Sequence, residues 1–255
     1  MRKYRDKLGL YLIEGSNALE EAKKCDAKIE AVFVKIDCFD KFAKAKGSAN
    51  VLADVQVASD LGDFENAYLV NEALFKNIAQ TETSQGIVAI VKKRDYSEKE
   101  FANLCKDGNI LVLDRLQDPG NIGTMIRTAD AAGYKGVICL KGTGDVFSPK
   151  VVRAAAGSIF RIPILFVDTE TELLTLAQKL DKRVVSTCFD TELDYFDADL
   201  KNNVALLIGN EGSGLSKELI DGSDIKVKIP MQETVDSLNA AVAAGILMYE
   251  RIRKG

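Results

Sequence analysis

The sequence predicts an α/β protein with two domains: a parallel-sheet domain over residues 108–255 and a smaller α/β domain over residues 1–95. Three observations support this prediction. Short apolar runs alternate with helical patterns along the chain, which is typical of α/β folds. The apolar runs of the second half are nearly continuous, as expected for strands that are covered on both faces. A highly charged stretch, residues 92–109, separates the two halves, and within it we predict a partly helical linker over residues 96–107.

Composition limits the chemistry that this chain can perform. Its net charge of −4 gives no global sign of nucleic-acid binding, so any such contact must come from local basic clusters. Because the chain has no histidine, Ser-His-Asp and Cys-His catalysis are excluded. The five cysteines lack a CxxC spacing, and no metal site is expected. Free thiols and the absence of a long apolar run predict a cytoplasmic protein without membrane spans.

In the first domain, three short apolar runs predict strands at residues 10–15, 31–36 and 86–93. After the first strand, Ser16 or Asn17 is a good N-cap for a helix that runs to Cys25. The segment 50–60 combines a strand with the residues that lead out of it, and residues 73–82 have a helical pattern. The alternation of strands and helices predicts a small α/β sandwich.

In the second domain the alternation is stronger. Helical patterns separate most of the predicted strands, which are residues 110–116, 136–140, 162–167, 183–187, 204–209 and 225–230. This pattern predicts a doubly wound parallel sheet. Ligands of such sheets bind beyond the carboxyl ends of the strands, so the loops that follow these runs are the places to look for a site.

The first of three motifs, "DPGNIGTMIRTADAAG", follows the strand at 110–116. Residues 118–121 form a turn, and a helix continues from it to Gly133. One helix face is apolar, at Ile122, Met125, Ile126 and Ala129. Arg127 lies off that face. Taken alone, the motif indicates a capped strand–helix unit with a surface arginine.

The second motif, "LLIGNEGSGLSKELI", covers residues 206–220. Glycine-rich loops after strands commonly bind phosphate, but the carboxylate of Glu211 would repel it. The glycines also run in the order G-x-x-G-x-G, which reverses the dinucleotide-binding order. Taken alone, the motif indicates a strand-to-helix turn in which Ser213 or Ser216 caps the helix.

The third motif, "IPMQETVDSLNAAVAAGILMYERIR", covers residues 229–253. A polar loop after Pro230 leads to a helix that we expect to start near Asp236 and Ser237, both good N-caps. The residues at 240–245 are small or apolar nearly all round the helix. This composition predicts a helix that is buried in the core or in a dimer interface.

In this order and spacing, the three motifs resemble those of the SpoU/TrmH branch of the SPOUT RNA methyltransferases, over about residues 108–255. The stretch "SPKVVRAAAGSIFRIPI" at 148–164 also resembles that family, although Ala155 stands where relatives often carry serine. The first domain is similar to the RNA-recognition domain often attached to this branch, which is related to kink-turn-binding ribosomal proteins. The resemblance implies a deep trefoil knot and S-adenosyl-L-methionine as cofactor.

The resemblance also implies roles for individual residues. Arg127 is expected to be the central catalytic residue, and Asn121, Glu211 and Asn239 position it or the substrate. Because a guanidinium stays protonated, we expect Arg127 to grip a substrate phosphate and stabilise the developing alkoxide. The proton acceptor, a phosphate oxygen or water, stays open. The cofactor contacts carry over to Leu207, Gly209, Ile229, Met231, Ser237 and Leu238.

The implied reaction is methyl transfer to a ribose 2′-hydroxyl of structured RNA, with 23S rRNA favoured over tRNA. A tRNA 2′-O-methyltransferase, a knotted enzyme acting on a base nitrogen, and a non-catalytic RNA-binding knotted dimer are the alternatives. The implied partners are RNA and a second copy of the chain, with no DNA. Basic clusters at Arg2 to Lys7, Lys41 to Lys46 and Lys92 to Arg94 suggest that the first domain delivers the RNA to Arg127, Lys150 and Arg153.

Overall fold

The computed structural model describes residues 2–39, 55–57, 64 and 66–253. The chain divides into two compact units, residues 1–94 with 147–153, and residues 95–146 with 154–255. Most of the predicted strand and exit at 50–60, and the lysine cluster at 41–46, lie outside the described residues.

The first unit is an α/β arrangement. Its helices and strands are Arg2–Leu8 (α1), Leu10–Glu14 (β1), Ser16–Lys24 (α2), Ile29–Lys35 (β2), Val55–Val57 (β3), Ala67–Val70 (β4), Glu72–Ile78 (α3) and Ile87–Lys92 (β5). The five strands form one sheet in the order β1-β5-β2-β4-β3. Only β2 and β4 pair in parallel, and the other neighbours are antiparallel. The predicted strands at 10–15, 31–36 and 86–93 therefore lie side by side, with bounds that differ by one or two residues.

A small apolar core holds the first unit together. Val70, Phe75 and Val88 form a buried cluster, with further apolar side chains packed against it. The segment 147–153 joins this unit through Phe147, whose ring centroid lies 5.0 Å from that of Tyr11. The ammonium of Lys93 lies 4.9 Å from the centroid of the same ring.

The second unit contains the parallel sheet. Its elements are Glu98–Cys105 (α4), Ile110–Leu113 (β6), Pro119–Ala131 (α5), Gly136–Leu140 (β7), Pro149–Ala155 (α6, whose first five residues belong to the first unit), Ser158–Arg161 (α7), Ile164–Val167 (β8), Glu170–Lys179 (α8), Arg183–Thr187 (β9), Val204–Ile208 (β10), Lys217–Asp221 (α9), Ile225–Val227 (β11) and Ala240–Glu250 (α10).

All six strands of this sheet pair in parallel, in the order β11-β9-β10-β6-β7-β8, so the predicted parallel sheet is confirmed. Every residue of β6, β7 and β10 is buried, which explains their continuous apolar sequence. From β6 the chain continues outward to β7 and β8 on one side, whereas β10, β9 and β11 lie on the other side of β6. The loops that leave the carboxyl ends of these strands therefore meet at one edge.

The predicted linker, residues 96–107, is largely helix α4 and belongs to the second unit. Ser97 caps this helix through a reciprocal capping box with Glu100. Phe101 and Cys105, four residues apart, are fully buried in the core of the second unit. These two residues pack one face of the helix against the core. The charged residues elsewhere in the segment make this short apolar pattern difficult to recognise in the sequence.

The helix predicted to start near Asp236 and Ser237 starts instead at Ala240. Asn239 is the N-cap, because its side-chain oxygen accepts hydrogen bonds from the backbone N–H groups of Ala241 (2.9 Å) and Val242 (3.2 Å). Residues 232–239 are an exposed loop. In the part of the chain that the structure describes, no helix has the length and apolar character needed to cross a membrane.

Candidate active site

A cleft of about 510 Å³ opens where β9, β10 and β11 end. Apolar side chains form much of its wall, and they are Ile208, Leu215, Val227, Ile229, Met231 and Leu238. The charged residues of the lining are Glu211 and Lys228. A cleft with mainly apolar walls and few polar groups is suited to a small organic ligand whose ring can pack against carbon.

One wall of the cleft is the loop of the second motif, residues 209–216, which we call the cleft loop. It folds back on itself: the N–H of Asn210 donates to the carbonyl of Gly214 at 3.1 Å, and the N–H of Gly214 donates to the carbonyl of Asn210 at 2.9 Å. A Cβ atom at Gly209 would lie 2.3 Å from the backbone of Gly214 and Leu215. Glycine at 209 is therefore required by the packing of the loop against its own backbone, whatever ligand it faces.

Glu211 has its partners in the loop before α5. Its carboxylate accepts hydrogen bonds from the backbone N–H groups of Gln117 (3.2 Å) and Asp118 (3.1 Å) and from the side-chain amide of Asn121 (3.2 Å). Partial burial opposes the charge on Glu211, but these hydrogen bonds outweigh it and hold the pKa of the carboxyl below its ordinary value. The carboxylate in the glycine-rich loop thus serves to join two loops.

The same network extends to the third motif. The side-chain amide of Asn239 donates to the side-chain oxygen of Asn121 at 3.0 Å. Asn239 also caps α10, and Asp118 caps α5 by accepting from the N–H of Asn121 at 2.8 Å. Three of the four residues predicted to be catalytic, Glu211, Asn121 and Asn239, therefore form one hydrogen-bonded chain that ties the three motifs together.

Arg127 is the fourth predicted residue, and it is exposed on α5. It lies outside the apolar face of that helix, as expected, because Ile122, Met125, Ile126 and Ala129 are all fully buried. Of the arginines in residues 95–146 and 154–253, Arg127 alone has no hydrogen-bond or ion-pair partner within the described chain. The others donate to protein oxygens, and they are Arg115, Arg161, Arg183, Arg251 and Arg253. A free guanidinium is available to an anionic ligand.

Five of the six residues predicted to contact the cofactor line the cleft, namely Gly209, Ile229, Met231, Ser237 and Leu238. Leu207 does not. Its side chain is fully buried in the core of the sheet, and its neighbour Ile208 is the strand residue that reaches the cleft. Side chains alternate along a strand, so a one-residue step moves the contact to the other face.

The sequence analysis missed the segment Thr187, Cys188 and Phe189, which also lines the cleft. It consists of the last residue of β9 and the two residues that follow, and the N–H of Cys188 donates to the carbonyl of Val227 at 3.1 Å. Phe189 is 72% exposed at this place. The rule that ligands bind beyond the carboxyl ends of parallel strands could have identified this segment from the strand prediction alone.

The described residues contain no group of three or more histidine, cysteine, aspartate or glutamate side chains that could hold a metal ion. All five cysteines are free thiols. Burial raises the pKa of Cys105 and of Cys139 to about 12, so both are neutral and unreactive at ordinary pH.

The parallel sheet, with its cleft at the strand ends and a free arginine on the neighbouring helix, matches a known family of enzymes. Residues 108–249 match the SpoU rRNA methylase family, and residues 1–89 match the MRM3-like substrate-binding domain. The chain belongs to the SpoU rRNA methylase family.

Individual relatives agree with this assignment. The 23S rRNA (guanosine(2553)-2′-O)-methyltransferase RlmP of Bacillus subtilis is 34% identical over 97% of this chain and 90% of its own length. A solved rRNA methyltransferase of Sinorhizobium meliloti with bound S-adenosylmethionine (AdoMet) has a TM-score of 0.80 and 31% identity, covering 98% of this chain and 90% of that one. The AdoMet complex of AviRb from Streptomyces viridochromogenes has a TM-score of 0.82 at 26% identity, covering 99% and 92%.

Proposed function

We propose that this protein is an AdoMet-dependent methyltransferase that modifies a ribose 2′-hydroxyl of RNA, with 23S rRNA as the substrate. The observation that carries the proposal is the pairing of a cleft for an uncharged ring system with an unpartnered arginine on α5. The family and the similarity to RlmP and to two AdoMet-bound structures support it. A tRNA substrate is the alternative.

The residues present fit the cofactor. AdoMet carries an adenine ring, a cationic sulfonium and no phosphate, and the cleft offers apolar walls with the carboxylate of Glu211 near one edge. Gly209, Ile229, Met231, Ser237 and Leu238 would hold it. When bound, AdoMet supplies an electrophilic methyl group next to a positively charged leaving group.

The chain itself has two tasks in this reaction, to align the ribose and to favour loss of its hydroxyl proton. Arg127 would bind an RNA phosphate through its planar guanidinium and lower the energy of the developing alkoxide. Asn121, Glu211 and Asn239 would fix the loops on which substrate and cofactor lie. The proton would leave to a phosphate oxygen or to water, because the guanidinium of Arg127 stays protonated and cannot accept it.

Several features of the family extend the proposal. We infer a trefoil knot in the second domain, supported by the position of β10 between β6 and β9 and by the tight packing of the cleft loop on Gly209. We assign residues 1–95 to an RNA-recognition domain and residues 108–255 to the catalytic domain, on which α4 packs. A cytoplasmic location would suit an rRNA enzyme with five free thiols.

A homodimer is also proposed, with α10 in its interface. Val242 and Tyr249 are seven residues apart on one face of this helix and are 52% and 48% exposed. Apolar side chains on a helix face, exposed in a single copy of the chain, suit a symmetric contact with a second copy. Ala244, on the same helix, is fully buried within the chain and cannot contribute.

Two measurements test the proposed function. Titration calorimetry with S-adenosylhomocysteine, the demethylated product, should show binding to the intact protein, whereas NAD and ATP should show none. Mapping of 2′-O-methyl groups in RNA from a strain that lacks the protein should reveal one missing site in 23S rRNA. Loss of a tRNA methyl group with complete 23S rRNA methylation would identify the alternative substrate.

A further inference from the structure

Arg115 has an unusual backbone conformation. Its φ is 55°, in the left-handed region that residues other than glycine adopt rarely. Arg115 is the second residue after β6, next to Asp114, and lies at the sheet edge where the cleft opens. Residues held in such conformations cluster at functional sites, where the surrounding contacts determine them.

The side chain of Arg115 forms a two-pronged ion pair with its neighbour in sequence. Its Nε donates to Oδ1 of Asp114 at 2.8 Å and its Nη2 donates to Oδ2 at 2.9 Å. The side chain of Asp114 is fully buried, and that of Arg115 is 38% exposed. A buried carboxylate needs such partners, since an unpaired charge inside a protein is very costly.

This pair contacts the cleft loop near both of its ends. The carbonyl of Arg115 accepts from the side-chain amide of Asn210 at 2.9 Å, at the start of the loop. Nη2 of Arg115 lies 3.5 Å from the carbonyl of Gly214, and Oδ2 of Asp114 accepts from the N–H of Ser216 at 3.1 Å, at its end. Asn210 and Gly214 both line the cleft.

Arg115 is also fixed from the opposite side. Its N–H donates to the hydroxyl of Thr143 at 3.1 Å, and that hydroxyl donates to the carbonyl of Leu113 at 3.0 Å. The side chain of Gln117 donates to the carbonyls of Arg115 (2.9 Å) and Gly142 (2.6 Å). The left-handed turn at Arg115 is thus anchored to the loop that follows β7.

We propose that Arg115 is a positioning residue for the cofactor, whose ion pair with Asp114 holds the two ends of the cleft loop at the separation that binding requires. The proposal rests on the proposed function, since it assumes that AdoMet occupies the cleft. Arg115 does not line the cleft, so its effect passes through Asn210, Gly214 and Ser216.

The planar fork of arginine is essential to this role. It satisfies both carboxylate oxygens of Asp114 and still directs one N–H toward Gly214. Lysine is a point charge that can bind one oxygen at a time. Arg115→Lys therefore keeps the charge next to Asp114 and loses the contact of the side chain with the carbonyl of Gly214. Arg115→Gly removes the side chain but relaxes the backbone, because glycine adopts a positive φ without strain.

The test measures S-adenosylhomocysteine affinity by calorimetry and the melting temperature, in the full-length chain and in both variants. We expect the Kd to rise about tenfold or more in each, the effect of losing hydrogen bonds to a charged group. The melting temperature should fall less in Arg115→Lys, which keeps a cation beside the buried carboxylate of Asp114, than in Arg115→Gly, which leaves that carboxylate without its ion-pair partner. In methyl-transfer assays, KM for AdoMet should rise while kcat at saturating AdoMet stays within about threefold.

Arg183→Lys is the matched control. Arg183 has a 39% exposed side chain and an ion pair with the exposed Asp199, and it lies at the amino end of β9, away from the cleft. A Kd for the Arg115 variants equal to that of this control would overturn the proposal. So would a rate that saturating AdoMet does not restore. A wild-type chain that binds no S-adenosylhomocysteine would instead refute the proposed cofactor.

Discussion

At the scale of single residues, the free guanidinium of Arg127 distinguishes a catalytic role from a structural one. Its side chain is exposed and has no partner in the described chain, so Arg127→Ala removes no internal contact. We expect methyl transfer to fall by about 10²–10³, the usual cost of deleting one group that stabilises developing charge. S-adenosylhomocysteine affinity and the melting temperature should stay close to wild type.

Lys201→Ala is the control for this substitution, because Lys201 is an exposed cation of the same unit outside the motifs. A rate in Arg127→Ala equal to that of the control would contradict the catalytic role. A large fall in melting temperature in Arg127→Ala would mean that the arginine acts through the fold.

Glu211 predicts a dependence of stability on pH. Its pKa is held below the ordinary 4.5 by donors from Gln117, Asp118 and Asn121, despite the opposing effect of burial. A carboxyl whose pKa is lower in the folded state stabilises the protein fully above 4.5, and this contribution is lost as the pH falls through the folded pKa. Glu211→Gln places an amide N–H opposite a backbone N–H, so it should unfold at lower denaturant concentration near neutral pH.

The difference in unfolding midpoint between wild type and Glu211→Gln should shrink when both are measured below about pH 4. Glu218→Gln serves as the control, because this carboxylate is exposed and accepts from the hydroxyl of Thr171 rather than from backbone N–H groups of another loop. A Glu211→Gln difference that is constant from pH 7 to acid would show that the charge on Glu211 contributes nothing to stability.

At the scale of elements, Gly209 of the second motif and Gly245 of the third have different physical roles. A Cβ at Gly209 would lie 2.3 Å from backbone atoms that cannot move aside, whereas a Cβ at Gly245 on α10 would lie 3.9 Å from Thr128 on α5. Gly209→Ala should therefore destabilise the cleft loop and abolish cofactor binding. Gly245→Ala should stabilise the protein by about 1 kcal/mol, the difference in helix propensity between the two residues.

Urea unfolding of both variants, with S-adenosylhomocysteine titration, checks this pair. Equal destabilisation by the two substitutions would mean that α5 and α10 pack more tightly at Gly245 than the 3.9 Å contact indicates.

How far the sequence predicts the elements depends on how strongly burial marks them. The strands of the parallel sheet were predictable because both faces are covered and nearly every residue is apolar. The sequence predicts a linker where helix α4 lies, because only Phe101 and Cys105 of its residues are buried. Charged residues dominate the composition of this segment. The start of α10 was misplaced because Asp236, Ser237 and Asn239 are all good caps, and only the bond between Asn239 and Asn121 selects the last.

The site was predictable to the same degree. The motifs located the chain that joins Glu211, Asn121 and Asn239, since these residues belong to the quoted stretches. They did not locate Phe189 or Arg115. Phe189 lies outside the three motifs in sequence. The importance of Arg115 comes from contacts with residues about 28 and 95–99 positions away in the chain, which no local sequence pattern contains.

At the scale of the whole molecule, the exposed apolar face of α10 predicts the oligomeric state. Light scattering at micromolar concentration should give the mass of two chains. Val242→Asp should shift the protein to a monomer, because the carboxylate would be buried without a partner in the interface. Leu104→Asp should leave the dimer intact, since Leu104 is equally exposed, at 52%, on α4. A monomeric wild type, or a dimer in both variants, would remove α10 from the interface.

RNA binding by the first unit is a second property of the whole molecule. The contacts of the basic residues separate those with partners within the unit from those that are exposed. Lys92 donates to the carbonyl of Leu8, and Lys93 pairs with Asp6 at 2.8 Å and is 12% exposed, so both lysines have partners within the first unit. Lys3 and Lys7 are exposed one turn apart on α1, beside Tyr4, which is 71% exposed. A basic helix face next to an exposed aromatic ring suits RNA, which offers phosphates and unstacked bases.

We expect Lys3→Gln with Lys7→Gln to weaken RNA binding and to lower the slope of log affinity against log salt by about two units, one for each lost phosphate contact. S-adenosylhomocysteine affinity should not change. Point variants are preferable to deletion of residues 1–95, because deletion would remove Tyr11 and Lys93 from Phe147 and expose an apolar ring of the remaining chain. Lys23→Gln is the control, since its ammonium lies 4.2 Å from the centroid of the Phe64 ring in the same unit. If the double variant kept the wild-type salt slope, the RNA would have to reach Arg127 without contacting α1.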